Sequence, residues 1–205
     1  MQPHEYWLLD SVIVAPFPVG LLATSPENII GAFNRPFHGM DYPQLVQTLI
    51  QLWRDDYLHY FDINHQDTLL TFDPDIIHAT LAREIDVYYQ VTPRGGAAWE
   101  AIAHPNWERF TCQSGSDHVR IEAGNRAVAE TYLGLYPACF SVTILPETIA
   151  WRIEQPWSAT YWKTLPVGYI VSFQTVAGTF DPEVYPIVNR QWAELTKWYH
   201  DPWRM

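Results

Sequence analysis

Apolar residues alternate with polar ones at two different periods along this chain, and the change of period marks its elements. In "DYPQLVQTLIQLWRDDY", Leu45, Leu49 and Leu52 recur with Val46 and Trp53 on one face, which predicts a helix that Asp41 caps. "TSPENIIGAFN" starts as a helix by its chemistry: Ser25 can cap, Pro26 suits the first turn and Glu27 favours the positive dipole end. "FDPDIIHATLARE" repeats that logic with Asp73 and Pro74, and Thr92-Pro93 opens a further helix whose Trp99 and Ile102 face inward. "EYWLLDSVIVA" is a mainly apolar first element, helix or strand, with helix preferred. Between these lie the strands "LHYFDI" and "VYYQV".

The second half changes character. "HVRIEA", "CFSVTIL", "TIAWRIEQ" and "VGYIVSFQTV" read as strands; in the third, Ile149, Trp151 and Ile153 alternate with Ala150, Arg152 and Glu154. Asn125 caps a helix in "NRAVAETYLGLY". A last helix is expected after Pro186, with Trp192, Leu195 and Tyr199 at helical spacing. The expected class is α+β: a mainly helical domain over 1–110, then a small antiparallel-sheet domain over 111–205 ending in a helix. The boundary is placed in the polar stretch "TCQSGSDH".

The order of the first half resembles the winged-helix fold over roughly residues 6–104. The matching residues are the Gln44–Tyr57 helix, the "YLHYFD" strand and "YYQVTPRGGAAWEAIA". The chain departs from that pattern in the wing, which would hold all of "NHQDTLLTFDPDIIHATLAREID", a helix included. The resemblance implies a helix that reads DNA, and Gln44, Gln47, Gln51 and Arg54 share one face of the corresponding helix.

Charge argues against that use. The chain carries −11 overall, and residues 1–110 hold five Lys+Arg against fourteen Asp+Glu with no lysine at all. Residues 111–205 hold seven against nine. Duplex affinity rests largely on neutralised phosphates, and Asp55 and Asp56 follow Arg54 directly. Such a surface repels nucleic acid and attracts basic partners. In size and acidity the chain resembles immunity proteins that neutralise basic toxins. The expected function is therefore non-enzymatic binding of a basic protein; the alternative is a winged-helix regulator with a C-terminal sensing or dimerising domain. A small-molecule-binding or hydrolytic enzyme is the third class.

No catalytic or cofactor constellation is legible, and no cofactor is expected. His59, Asp62, His65, Asp67, Asp73, Asp75 and His78 are metal-ligand types but match no signature spacing. Ser114, Ser116, Asp117 and His118 lack the elbow that a nucleophile needs. "RGG" at 94–96 is too short to cradle phosphate. Cys112 and Cys139 read as buried small hydrophobes. The N-terminus has no basic region before its apolar stretch, and a cytoplasmic chain is expected. Ten tryptophans is a high count. "EQPWSATYWKTLP" places Trp157, Tyr161, Trp162 and Lys163 in a long connection, which makes them, with Asp55 and Asp56, the candidate partner-binding residues.

Overall fold

The computed structural model describes residues 1–33, 37–62 and 73–202. It is α+β with antiparallel sheets, and the chain divides into two compact units. The first comprises 1–103 with 160–162 and 201–205; the second comprises 104–159 with 163–200.

The first unit runs α1 (Pro3–Asp10), β1 (Phe17–Pro18), α2 (Pro26–Phe33), α3 (Tyr42–Arg54), β2 (Leu58–Asp62), α4 (Pro74–Leu81), β3 (Val87–Val91) and α5 (Pro93–Ala103). The cap residues act as their chemistry predicts. Asp41 Oδ1 accepts from the Gln44 amide at 2.8 Å, Asp73 from Asp75 at 3.0 Å, and Thr92 Oγ1 from Gly95 at 2.9 Å. Each satisfies an amide that the helix itself leaves unpaired.

The strands form a sheet of order β1-β3-β2, with Phe17 opposite Tyr89 and Tyr60 opposite Tyr89 on the other side. Residues Val87, Tyr89 and Val91 of β3 point inward at the strand period. The apolar face of α3, where Leu45, Leu49 and Leu52 are buried, packs with β2, and α5, which carries the buried Trp99, packs with β3. The apolar "EYWLLDSVIVA" run does not stay helical to its end. The helix stops at Asp10, whose Oδ1 is turned inward to accept from the Trp99 indole N–H at 2.7 Å. The Ser11 hydroxyl then donates back to the Leu8 carbonyl at 2.7 Å, and Val12 and Ile13 go on into the core as turn residues.

The second unit contains β4 (Thr111–Ser114), β5 (His118–Ala123), α6 (Arg126–Phe140), β6 (Val142–Ile144), β7 (Ala150–Glu154), β8 (Trp157–Ser158), β9 (Thr164–Leu165), β10 (Gly168–Ala177) and α7 (Tyr185–Leu195). The long β10 organises it, pairing with β5, with β7 through its first half and with β6 through its last three residues. Val119 and Ile121 of β5 and Val171 and Phe173 of β10 form the core with Tyr132 and Tyr136 of α6, and Trp192 and Leu195 of α7 pack against it.

Three expectations change here. The stretch "TCQSGSDH" is no linker: it is the β4–β5 hairpin, turned by Gly115 at φ 83°, and the units divide after Ala103. "CFSVTIL" is not one strand. The α6 helix runs on through Pro137 to Phe140, because that phase stacks Tyr136 on Phe140 (4.5 Å) and brings both rings to Trp192. It ends at Ser141, in the left-handed region at φ 53°. The last helix begins at Tyr185 and stops at Leu195. Beyond it Trp198 is buried beside Phe110 and Trp107, and its carbonyl accepts from the Asn106 amide at 2.7 Å.

Candidate functional site

Burying one face of α3 leaves its opposite face outward. Gln44, Gln47, Gln51 and Arg54 all lie there, as their spacing requires. With Tyr42, Pro43, Val46, Ile50 and His78 of α4, three of those four line an open groove of about 570 Å³. Pro43, Val46 and Ile50 give the groove apolar surface; Gln47, Gln51 and Arg54 give it a polar rim. At one end the Tyr42 hydroxyl meets His78 Nδ1 at 3.3 Å.

At the other end the helix runs into carboxylates. Gln51 Nε2 donates to Asp55 Oδ2 at 2.8 Å, so the amide nearest Arg54 is committed to an acid. Asp56 takes a left-handed φ of 59° and turns the chain toward β2. Its carbonyl accepts the Thr92 hydroxyl at 2.5 Å, while its carboxylate stays exposed and meets His59 Nε2 at 3.0 Å. The backbone of Asp56 thus holds the α3–β2 turn to the start of α5, and its charge is left at the surface.

The tryptophan-bearing connection does not form one displayed patch. Trp157 is 1% exposed; its ring lies against Gly168, and its indole N–H donates to Glu122 Oε2 at 2.7 Å. Large apolar area with a reachable acceptor favours burial of this residue. Tyr161 is 39% exposed, but its hydroxyl is not displayed: it accepts from the Val91 amide and donates to the Val12 carbonyl, both at 2.7 Å. Burial pushes that phenol well above its ordinary pKa. Trp162 donates from Nε1 to the Ile13 carbonyl at 2.9 Å, and its ring covers Gly96. Lys163 sits with Nζ 5.3 Å above the Trp107 ring. Tyr161 and Trp162 belong to the first unit, Trp157 and Lys163 to the second.

The remaining chemistry-bearing residues stay apart. Among the described residues no three of His, Cys, Asp and Glu gather within reach of one ion; His65 and Asp67 lie outside the described residues. No hydrogen bond joins Ser114 or Ser116 to His118 among the described residues, and the hairpin that carries them is tied to β10 through the Ser116 and Asp117 carbonyls. Cys112 and Cys139 are both free and half-buried. Burial, and then Glu122, pushes the Cys112 thiol up to about 12.

The chain matches no family model, no curated protein and no solved structure. Function therefore rests on its own surfaces. The sequence reading left one of them unnoticed, an open groove of about 500 Å³ in the second unit to which α6 and α7 both contribute. Its two arginines, Arg109 and Arg190, are far apart in the chain, and no local pattern links them.

Proposed function

We propose that this protein is a non-enzymatic binding protein whose partner is a basic protein, docking on the α3 face of the first unit. The carrying observation is the end of α3, where Asp55 and Asp56 follow Arg54 and Gln51 is already bonded to Asp55. The groove beside it joins apolar Val46 and Ile50 to Tyr42 and the two amides of Gln47 and Gln51. That mixture suits side chains of another protein, in which an apolar centre is ringed by polar contacts. The −9 balance of residues 1–110 steers cationic partners and opposes phosphate. An immunity-type or inhibitor role, in which an acidic face covers a basic surface, follows from the same charge.

Affinity capture from the native cell tests this. A basic protein should be recovered at 50 mM salt and released as salt rises toward 0.5 M, at which screening is strong (Debye length a few Å). Recovery of no protein at any salt would sink the reading.

A second reading has one observation in its favour. The sheet order β1-β3-β2, with α2 and α3 between β1 and β2, supports a winged-helix arrangement in which α3 is the reading helix. On that reading the chain is a regulator with a C-terminal sensing or dimerising part. A gel-shift assay with duplex DNA at low salt separates the two, because tight duplex binding would displace the protein-binding proposal.

A further inference from the structure

We infer that the α6–α7 groove of the second unit binds a small amphipathic carboxylate. The groove lies outside the α3 surface, and the inference does not rest on the proposed function. Leu135 from α6 and Leu195 from α7 provide its apolar lining, and Thr131 and Gln191 provide neutral polar atoms. Arg109 and Arg190 supply the charge.

The two arginines are differently held. Arg109 donates from Nη2 to the Glu194 carbonyl at 2.8 Å, which fixes its guanidinium and leaves further N–H donors. Arg190 is exposed on α7 and makes no hydrogen bond or ion pair among the described residues. One carboxylate also lines the groove, that of Glu194. Lys197 Nζ holds it at 2.5 Å, and Lys197 is the main cause of its lowered pKa. Two arginines thus line the groove beside one acid that Lys197 already pairs, in a chain that carries −11. Two other grooves among the described residues are not built this way. The α3–α4 groove has Arg54 followed by Asp55, and the depression beside β3 has Arg83 with Asp86.

A guanidinium presents paired N–H donors that match the two oxygens of a carboxylate. The leucines give no reason to prefer a bare inorganic anion. They favour a ligand with a short acyl or aryl tail, whose burial adds to the ion pairing.

Isothermal titration of the full chain with sodium octanoate tests the inference, with octylammonium and inorganic phosphate as controls. Octanoate should bind saturably at one site per chain, with octylammonium and phosphate at least about tenfold weaker. Arg190→Gln should weaken octanoate at least about tenfold, the loss of one charge-assisted contact. Arg190→Lys, which keeps the charge and loses the fork, should fall between. Arg190 is exposed and unpaired, so both variants should keep the wild-type circular dichroism spectrum. The inference is overturned if the wild type shows no saturable octanoate binding, if Arg190→Gln binds octanoate as well as wild type, or if octylammonium or phosphate binds as tightly as octanoate.

Discussion

Replacing Gly95 by alanine sets two effects of known size against each other. Gly95 lies in the first turn of α5, and alanine in a helix is favoured over glycine by about 1 kcal/mol. Here a Cβ would stand 2.1 Å from the Tyr57 carbonyl oxygen and 2.9 Å from its carbon. Ordinary C···O contacts are about 3.3 Å or longer, so the backbone must part by roughly 1 Å. Neither side is loose. The Tyr57 carbonyl accepts from the Thr92 amide at 3.1 Å and its amide donates to Leu52 at 2.8 Å, while Gly95 donates to Thr92 Oγ1. Overpacking costs about 1–3 kcal/mol, and each hydrogen bond lost adds about 1 kcal/mol. The clash outweighs the propensity gain, for a net loss of roughly 2 kcal/mol. For a chain of this length that corresponds to about 4–8 °C in melting temperature. Gly134 is the control: it lies inside α6, and a Cβ there meets nothing within 4 Å. Gly134→Ala should stabilise by about 0.5–1 kcal/mol. Both variants are compared by urea unfolding followed by circular dichroism. A Gly95→Ala protein as stable as wild type would refute the close approach of α5 to the α3–β2 turn.

Other outcomes follow from the same structure. Trp99→Phe removes the donor to buried Asp10 and part of a fully buried ring, and urea unfolding should show a loss of about 3 kcal/mol. His38 has its pKa lowered, chiefly by burial, and its Nδ1 accepts from the Met40 amide. A depressed histidine pKa means that the unfolded chain takes the proton first. Its contribution is therefore complete above about pH 6.5 and is lost as pH falls through the lower folded value. Urea midpoints from pH 7.5 to 5 should decline, and His38→Asn should flatten that decline. The double change Asp55→Asn with Asp56→Asn should leave stability within about 0.5 kcal/mol. By stopped-flow, association with a captured basic partner should slow and become less salt-dependent. Cys112 in the native protein should react with iodoacetamide at pH 8 far more slowly than in urea, as mass spectrometry of the labelled peptide would read, because its thiol stays protonated.

Local chemistry was the legible part of the sequence. Asp41, Asp73, Thr92 and Asn125 all cap helices, because a cap depends on a side chain and an amide two or three residues away. The inward face of α3 and the alternation in β3 were readable for the same reason. Pro137 hid the true length of α6, since the stacking that carries the helix past it involves Trp192, more than fifty residues on. Of the candidate partner-binding residues, Asp55 and Asp56 were placed by the helix they follow. The buried state of Trp157 depends on Glu122 and Gly168, and the bonded hydroxyl of Tyr161 on Val12 and Val91. No window of sequence contains those pairs. Arg190 reaches its groove through the packing of α7 on α6, and Arg109 through its bond to the Glu194 carbonyl, neither of which periodicity reveals.

Tyr161 and Trp162 carry one more consequence, for how this protein can be divided. A gene fragment stopping at Ala103 would encode the first unit without the hydroxyl that serves Val91 and Val12, and without the indole that serves Ile13 and roofs Gly96. Its missing pieces lie more than fifty codons downstream, inside the stretch that encodes the other unit. No single crossover could therefore transplant either unit whole, and shuffling by fusion or truncation would tend to discard both. A gene for the first unit alone would have to carry 160–162 and 201–205 along with 1–103.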